Sequence, residues 1–452
     1  MNRILPGLAD GDSGTVTTVV IGAGHAGLAV SQCLSARSID HIVLEGGEVA
    51  NSWKTERWDS LRLLTPNWQN RLPGGYFYQG CDPDGFMTMP EIADFIGDYA
   101  RSFSAPVKTA TRVIAVHKTD YGYHIQTNTG QWRCRSLVLA SGSCNKPNIP
   151  AMAQALPSSV HSLHPMEYRN PAQLGRGNVL VVGASASGLQ LAQEIRKTGR
   201  EVTLAVGEHV RMPRTYRGLD IQWWMHACGI LDRDIADEDD VQRARRVPSP
   251  QLIGSPARDT LDLNTLTDAG VSIVGRMSAI REGKALFSGA LRNSCALADL
   301  KLNRLLDSFD EFASTHSEVP AMGAPERMSA TRVPDRPKLK IDFAQETIDT
   351  VIWATGYKAD YSWLNIPVLD RKGKLCHEGG VVGTPGVDSD GLYAMGLTYM
   401  RKRKSSFICG AEDDAIAISD HLCGFLDKDS RQRQNKSSST VSTQIDWAYA
   451  AA

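Results

Sequence analysis

Three glycines and one glutamate are spaced as in a binding site for a dinucleotide. Gly22, Gly24 and Gly27 follow an apolar segment, residues 18–21, and open a stretch with helical periodicity. In such a pattern the first glycine permits a tight turn, the second lets backbone N–H groups approach a pyrophosphate, and the third lets helix and strand pack closely. Glu45 ends the next apolar segment, where a carboxylate can accept hydrogen bonds from both hydroxyls of an adenosine ribose. We call these four residues the first cradle.

A second strand–turn–helix pattern, the second cradle, begins at Gly183. Gly188 takes the last glycine position, and Ser185 replaces the middle glycine with a small residue whose hydroxyl can bond a phosphate. Ser187 is a further candidate contact in the same turn. Two such patterns in one chain arise by chance far less often than one. The sequence therefore predicts two bound dinucleotides.

The residues after the second strand of the second cradle favour a phosphorylated ribose. Gly22 precedes its glutamate by 23 residues, and the same offset from Gly183 falls on Val206, so no carboxylate stands there. Arg211 and Arg214 follow closely, and the planar guanidinium suits a 2′-phosphate by charge and by geometry. We therefore expect NADPH, although Glu208 taken alone favours NADH. A solvated basic loop is the alternative for each arginine.

Further candidate cofactor contacts lie in one loop and at the ends of two later strands. Residues 49–68 are dense in tryptophan and arginine, which is typical of a loop lining a large planar ligand, although packing in a satellite core explains each tryptophan equally well. Segments 348–357 and 391–396 are apolar strands ending in small residues, which let a dinucleotide pass close to the backbone. The candidates are Trp53, Arg62, Thr65, Ala354, Thr355, Gly356 and Gly396.

The order of these elements predicts an α/β fold with two Rossmann-like dinucleotide-binding domains, the second inserted into the first. A chain of 452 residues exceeds a comfortable single core. We expect the first domain at residues 1–165 and 346–427, and the inserted domain at residues 166–345. The Ser-, Gln- and Lys-rich segment 428–452 is predicted to be disordered.

Composition and charge exclude several classes of function. A net charge of −1 provides no long-range attraction to nucleic acid or to an anionic membrane. No apolar run is long enough to span a bilayer, and the first 14 residues lack the features of a secretory signal, so we expect a cytoplasmic location. The nine cysteines form no CxxC and no zinc-like cluster. We therefore expect reduced thiols, no bound metal and no dithiol reductase; a homodimer is a further expectation.

The two cradles, Glu45 and residues 354–357 together resemble the flavin-containing monooxygenases, the class B flavoprotein monooxygenases of bacterial type. The likeness extends from about residue 17 to residue 422. Between its two cradles that family carries FxGxxxHxxx(Y/F). Here His164 and Tyr168 match the second half, whereas Ser158 and Val160 stand at the Phe and Gly positions. The resemblance implies FAD at the first cradle and NADPH at the second.

The resemblance also implies roles for individual residues. Asn67 is similar to the asparagine that the family places beside the flavin. Arg211 and Arg214 match the region that holds the 2′-phosphate. Tyr168 stands where Baeyer–Villiger enzymes resemble one another in having tryptophan, which favours the branch that oxidises heteroatoms. For His164 the alternative is a structural role, packing between the domains.

The activity implied by the resemblance is that of an FAD-dependent, NADPH-consuming monooxygenase. In that family a C4a-hydroperoxyflavin transfers one oxygen atom of O2 to a small organic substrate. We expect N- or S-oxygenation, with Asn67, His164 and Tyr168 as the candidate catalytic residues. The alternatives are Baeyer–Villiger oxygenation of a ketone and NADPH oxidation or reduction without oxygenation. A nucleotide-binding regulator without turnover is an alternative from another class.

Overall fold

The computed structural model of the protein describes residues 13–316 and 323–449. Within these residues the chain forms two large sheets, the first mixed and the second parallel, with helices packed against them, and five small sheets of two or three strands. The α-helices are α1 (His25–Ala36), α2 (Asn51–Thr55), α3 (Met89–Ser102), α4 (Ala186–Lys197), α5 (Ile221–Ala227), α6 (Val241–Ala244), α7 (Leu263–Asp268), α8 (Leu291–Thr315) and α9 (Ala411–Tyr449). Short 3₁₀ helices span Asn67–Gln69, Ala151–Ala155, Pro171–Gln173, Ile235–Asp237 and Ile408–Gly410.

The strands fall into three groups along the chain. The first group is β1 (Gly14–Ile21), β2 (His41–Leu44), β3 (Arg71–Leu72), β4 (Tyr76–Phe77), β5 (Val107–Lys108), β6 (Val113–Thr119), β7 (Gly122–Thr127), β8 (Gln131–Leu139) and β9 (Lys146–Pro147). The middle group is β10 (His161–Leu163), β11 (Asn178–Val182), β12 (Val202–Val206), β13 (Val210–Arg211), β14 (Thr215–Tyr216), β15 (Leu219–Asp220), β16 (Pro250–Gln251), β17 (Ser272–Gly275), β18 (Met277–Arg281), β19 (Lys284–Phe287), β20 (Lys340–Asp342) and β21 (Ile348–Trp353). The last group is β22 (Tyr357–Lys358), β23 (His377–Glu378), β24 (Val381–Val382) and β25 (Leu392–Ala394).

The first sheet combines strands from the two ends of the chain. Its order is β23-β24-β25-β8-β1-β2-β5, and the β6–β7 hairpin continues from β8. The strands from β25 to β5 pair in parallel. Residues 18–21 of β1 are fully buried, which explains their uninterrupted apolar character, since a parallel sheet is covered on both faces.

The second sheet is entirely parallel, with the order β10-β21-β11-β12-β17. β21 follows a long excursion and returns to lie between β10 and β11. The predicted insertion of one domain into the other is therefore present. Its boundaries differ from the expected 166 and 345, because both β10 and β21 belong to the second sheet, which places the inserted domain at residues 161–353. Short strand β10 offered no sequence pattern from which this pairing could be predicted.

The chain passes between the domains twice, and the two passages bond to each other. β9 and β22 pair in antiparallel fashion, with Tyr357 opposite Pro147. The Asn148 N–H donates to the Gly356 carbonyl at 3.0 Å, and the Thr355 hydroxyl donates to the Asn148 carbonyl at 2.7 Å. We call residues 145–148 and 355–358 the crossing ribbon.

Ion pairs connect the domains at a second place. Residues 232–249 leave the second domain, and basic residues 401–404 of the first domain meet them. Lys404 Nζ lies 2.6 Å from Asp232 and 3.0 Å from Asp413, and Arg403 lies 3.0 Å from Glu238. The basic run is thus neutralised by carboxylates from both domains.

The last helix is longer than the sequence suggested. We expected a helix to about residue 425 followed by disorder, but α9 continues to Tyr449, so the disorder prediction is wrong for residues 428–449. Arg135 of the first sheet bonds the Leu426 carbonyl, Asp429 and the Ser430 hydroxyl, which attaches the helix beyond the predicted end. Residues 450–452 lie outside the described residues. Over the described part of the chain, no helix is both long and apolar enough to cross a membrane.

Candidate functional site

The first cradle has the backbone geometry that its glycines predicted. Gly22 has a φ of 107°, a conformation that side chains disfavour, and a Cβ on Gly27 would lie 1.9 Å from the Gly22 carbonyl oxygen. A Cβ on Gly24 would meet no atom within 4 Å, so the turn is open where a ligand backbone would approach. The three glycines therefore provide a tight turn, an open approach for the ligand, and close packing of helix against strand, as the pattern requires.

Glu45 is held at the edge of the first sheet by two backbone donors. The Ala23 N–H donates to one carboxylate oxygen and the Gly47 N–H donates to the other, each at 2.8 Å. The carboxylate is therefore fixed beside the cradle turn with lone pairs left to accept from a ribose. Gly396, with a φ of 73°, follows β25 and lies against Ala26 at the start of α1; a Cβ on it would be 2.9 Å from that methyl group.

The second cradle repeats this geometry. Gly183 has a φ of 110°, and a Cβ on Gly188 would lie 1.8 Å from the Gly183 carbonyl oxygen. Ser185 stands at the N-terminus of α4, and the Ser187 hydroxyl shares a hydrogen bond with Tyr357 of the crossing ribbon. The Ala354 backbone passes so close to Gly183 that a Cβ there would be 2.3 Å from its oxygen.

The helix N-termini at the two cradles have free donors. Helices α3, α5, α6 and α7 begin with a side chain that accepts from their first-turn N–H groups. Helices α1 and α4 begin at Gly24 and Ser185 without such a bond, as do α2 and α8, which follow no cradle turn. Unpaired N–H groups and the positive end of the helix dipole make a site for an anion. Both cradles therefore fit a pyrophosphate.

A cavity of about 1970 Å³ lies against the second cradle and the crossing ribbon. Residues from the first domain, Leu397 and Thr398, complete its wall directly after Gly396. The sequence-predicted residues that line it are His164, Gly183, Ser185, Ser187, Ala354, Thr355 and Gly356. The other predicted residues are not in its lining, although Gly396 connects the wall to α1 of the first cradle.

His164 is fully buried and bonded on both ring nitrogens. Its Nδ1 accepts from the Met166 N–H at 3.3 Å, so Nε2 carries the proton and donates to the Gly356 carbonyl at 2.9 Å. Burial lowers the pKa of His164, which favours this neutral form. The ring also packs edge-on against Tyr357, with centroids 5.0 Å apart. Both bonds support the structural alternative, in which His164 fastens β10 to the crossing ribbon.

Asn67 and Tyr168, the other two candidate catalytic residues, do not join His164 at the cavity. Tyr168 is 0 % exposed, donates to Glu194 at 3.1 Å and packs in the core of the second domain, so this geometry gives no support to its predicted catalytic contact. Asn67 is 4 % exposed, and its amide donates to the Asp82 carbonyl at 2.9 Å. Its Oδ1 is buried without a hydrogen-bond partner, so one polar atom of this side chain is left to bond a ligand.

Arg211 and Arg214 are structural, contrary to expectation. Arg211, 3 % exposed, pairs with Asp262 at 2.6 Å and with Asp299 at 2.7 Å. Arg214, 0 % exposed, pairs with Asp220 and donates to the Leu64 and Ile253 carbonyls. Neither lines the cavity. This geometry gives no support to the prediction that they hold a 2′-phosphate, because Asp262 and Asp299 occupy the Arg211 guanidinium and Asp220 occupies that of Arg214.

The remaining predicted residues lie in α2 and in the loop between α2 and α3. Trp53 is half-buried, with the Arg57 guanidinium 5.6 Å from its ring centre. Arg62 donates to the Phe86 carbonyl at 2.8 Å, and the buried Thr65 hydroxyl donates to Asn70 at 3.1 Å. These bonds shape the loop, and contact with a flavin remains a prediction for all three.

Sequence reasoning missed Arg276, which directly follows β17. Its side chain lies over Gly207 at the end of β12, where a Cβ on Gly207 would be 3.7 Å from its Cγ, and both residues line the cavity. Arg276 is exposed, and none of the described residues pairs with its guanidinium. In the sequence Arg276 is only an arginine at the end of an apolar strand. The pairing of β12 with β17 is what places it beside Gly207. Among the described residues, no group of three His, Cys, Asp or Glu is arranged to hold a metal ion.

The two cradles and their sheets form a fold that flavin-dependent monooxygenases also have. A flavin-containing monooxygenase from Stenotrophomonas maltophilia shares this fold, with a TM-score of 0.62, 17% identity, and coverage of 91% of this chain and 99% of that one. Residues 19–223 match the family model described as pyridine nucleotide-disulphide oxidoreductase. The probable indole-3-pyruvate monooxygenase YUCCA1 of Arabidopsis thaliana is 24% identical over 426 residues, 89% of each chain.

The chain belongs to the family of the CzcO-like oxidoreductases. It is 32% identical over 403 residues to the uncharacterised CzcO-like oxidoreductase of Geobacillus kaustophilus, which covers 88% of this chain and 96% of that relative. The predicted class, an oxidoreductase of the flavin monooxygenase type with two Rossmann-like domains, is confirmed. The predicted cofactors, FAD and NADPH, agree with this class.

Proposed function

We propose that this protein is an FAD-dependent, NADPH-consuming monooxygenase that transfers one oxygen atom of O2 to a nitrogen or sulfur atom of a small organic substrate. The second oxygen atom leaves as water, and NADPH supplies the two electrons. The observation that carries the proposal is the pair of cradles with uncapped helix N-termini, the second opening on the 1970 Å³ cavity between the domains.

The first cradle has the groups that FAD requires. Gly22 and Gly24 leave room for the pyrophosphate at the N-terminus of α1, and Glu45 is held ready to accept from the ribose hydroxyls. At the second cradle Ser185 and Ser187 offer hydroxyls beside the N-terminus of α4, where the pyrophosphate of NADPH would bind. When bound, the flavin accepts two electrons from NADPH and activates O2.

The residues of the protein position the cofactors and shield them from water; they do not react themselves. His164 is neutral and bonded at both nitrogens, so it shapes the cavity wall without offering a proton. Asn67, with its unpartnered Oδ1, is the side chain that can orient a polar group of the flavin. Exclusion of water by the buried wall would protect the activated oxygen from release as hydrogen peroxide.

There are two alternatives, and the first has specific support. The name of the Arabidopsis relative refers to indole-3-pyruvate, a 2-oxo acid, so a carbonyl compound is the second candidate substrate, as in Baeyer–Villiger oxygenation. Residue 168 does not decide between the branches by contact, because Tyr168 is buried away from the cavity. NADPH oxidation without oxygenation is the second alternative.

We also propose that the protein acts in a reducing compartment such as the cytoplasm, and as a homodimer. All nine cysteines are free, which is typical of such compartments. The dimer has no support among the contacts of the described residues, and size-exclusion chromatography with light scattering tests it directly.

The test follows both the flavin and the oxygen atoms. The purified protein is reduced with NADPH without oxygen and then mixed with aerated buffer while the flavin absorbance is recorded. The product of turnover under ¹⁸O2 is then analysed with an alkyl sulfide, a tertiary amine and a cyclic ketone offered together. One ¹⁸O atom in a sulfoxide or N-oxide supports the proposal; label in an ester supports the Baeyer–Villiger alternative. Hydrogen peroxide equal to the NADPH consumed, with every substrate, would refute oxygenation.

A further inference from the structure

We propose that Arg276 recognises the 2′-phosphate of NADPH at the second cradle. This inference rests on the proposed binding of NADPH there, and it assigns the selectivity for NADPH over NADH to a residue outside the cradle motif. It replaces Arg211 and Arg214, whose guanidinium groups are buried in ion pairs.

The two cradles, compared residue by residue, locate the adenosine ribose. In the first, β1 pairs Ile21 with Leu44, and Glu45 follows. In the second, β11 pairs Val182 with Ala205, and Val206 follows. Val206 therefore occupies the position of Glu45 but cannot accept from ribose hydroxyls. A ribose that carries a phosphate on its 2′-oxygen does not need that acceptor; it needs a cation.

Arg276 is the cation that the sheet brings to this position. β12 and β17 pair in parallel with Val206 opposite Gly275, so Gly207 and Arg276 are the next residues at the carboxyl edge. Ligands of parallel sheets bind at that edge. The Arg276 carbonyl accepts from the Ser288 N–H at 2.8 Å, which fixes its backbone, while the Arg276 side chain lies over Gly207.

The charges around Arg276 are consistent with this role. Glu208, also in the cavity lining, is the carboxylate that would repel a phosphate, but it lies 3.5 Å from Lys301 of α8. Arg245 and Arg246 line the same cavity, and they bond the Tyr399 and Gln242 carbonyls. Arg276 alone of these three has no bond to give up before it can bind a phosphate with both arms of its guanidinium.

The test compares two adenosine nucleotides that differ in the 2′-phosphate. Isothermal titration calorimetry of the flavin-loaded protein measures the Kd of 2′,5′-ADP and of 5′-AMP. For Arg276→Ala we expect the Kd of 2′,5′-ADP to rise about 10- to 100-fold, the range for a charged hydrogen-bonded pair, and that of 5′-AMP to change less than about twofold. Arg276→Lys keeps the charge without the planar fork and should fall between.

The matched control is Arg281→Ala, an exposed arginine at the end of β18 that is not in the cavity lining. It should leave both Kd values unchanged. Equal weakening of both nucleotides by Arg276→Ala, no weakening of 2′,5′-ADP, or a wild-type protein without preference for 2′,5′-ADP would each overturn the inference. The titration does not involve oxygen. Its result can therefore be interpreted even if the proposed oxygenation fails.

Discussion

Replacing Arg214 by methionine should destabilise the protein without altering its recognition of NADPH. The Arg214 guanidinium is completely buried; it pairs with Asp220 and donates to the Leu64 carbonyl at 2.8 Å and to the Ile253 carbonyl at 3.1 Å. Leu64 belongs to the first domain, whereas Asp220 and Ile253 belong to the second. One side chain thus holds a loop of each domain.

The magnitude follows from the charge that the substitution leaves behind. In Arg214→Met, Asp220 keeps a carboxylate that is 13 % exposed and has lost its cation. Removing one partner of a buried ion pair costs about 3–5 kcal/mol, because the other charge remains buried and unpaired. With about 2–4 °C per kcal/mol for a domain of this size, the unfolding midpoint should fall by about 6–20 °C.

Thermal unfolding followed by circular dichroism and by flavin fluorescence measures this change. Arg292→Ala is the control, because Arg292 is exposed and lies 3.7 Å from an equally exposed Asp335; its midpoint should match that of the wild type. The affinity for 2′,5′-ADP, measured below both transitions, should be unchanged in Arg214→Met. An unchanged midpoint with at least tenfold weaker 2′,5′-ADP binding would show that Arg214 contacts the phosphate and that the structural interpretation is wrong.

Three further predictions concern the first cradle and the buried histidines. Glu45→Gln should yield protein with less bound flavin, because one oxygen that accepts at 2.8 Å becomes an NH2 group facing a backbone N–H; the ratio of flavin to protein absorbance measures it. Gly27→Ala should lower the unfolding midpoint even of the flavin-free protein, since its Cβ would meet the backbone at 1.9 Å, whereas Gly24→Ala should spare that midpoint and weaken only FAD binding; the opposite ranking would contradict the cradle geometry. Burial lowers the pKa of His164, and it lowers the pKa of His25 to about 4. As the pH falls, the unfolded chain therefore takes up protons before the folded protein does, and the free energy of unfolding should decline below about pH 6.5. Urea unfolding at several pH values should show a smaller decline in His25→Gln than in the wild type.

The cradles could be predicted from the sequence because their requirements are local. Gly22 and Gly183 need a positive φ, and Gly27 and Gly188 need an absent side chain beside a carbonyl five residues earlier. Each requirement is met within a stretch of about six residues. The order of apolar segments around them was then enough to predict two parallel sheets.

Contacts between distant segments could not be predicted. Arg211 looked available because its partners Asp262 and Asp299 lie 51 and 88 residues away in sequence and reach it only through folding. Tyr168 matched a family motif, but its partner Glu194 is on the helix of the second cradle and turns it into the core. Arg276 was not predicted for the same reason, because the strand beside it, β12, is distant in sequence.

The crossing ribbon determines how the two domains can move. Because the Gly356 carbonyl accepts from Asn148 of the other passage, sliding of one passage past the other would break a backbone bond. Rotation about the ribbon's own length leaves these backbone bonds intact, but it is opposed by the ion pairs of Arg403 and Lys404 with the second domain and by the bonds of Arg214 to both domains. The same carbonyl also accepts from His164, whose ring lines the cavity. A rotation of the domains that widened the cavity would therefore have to break the ion pairs of Arg403 and Lys404.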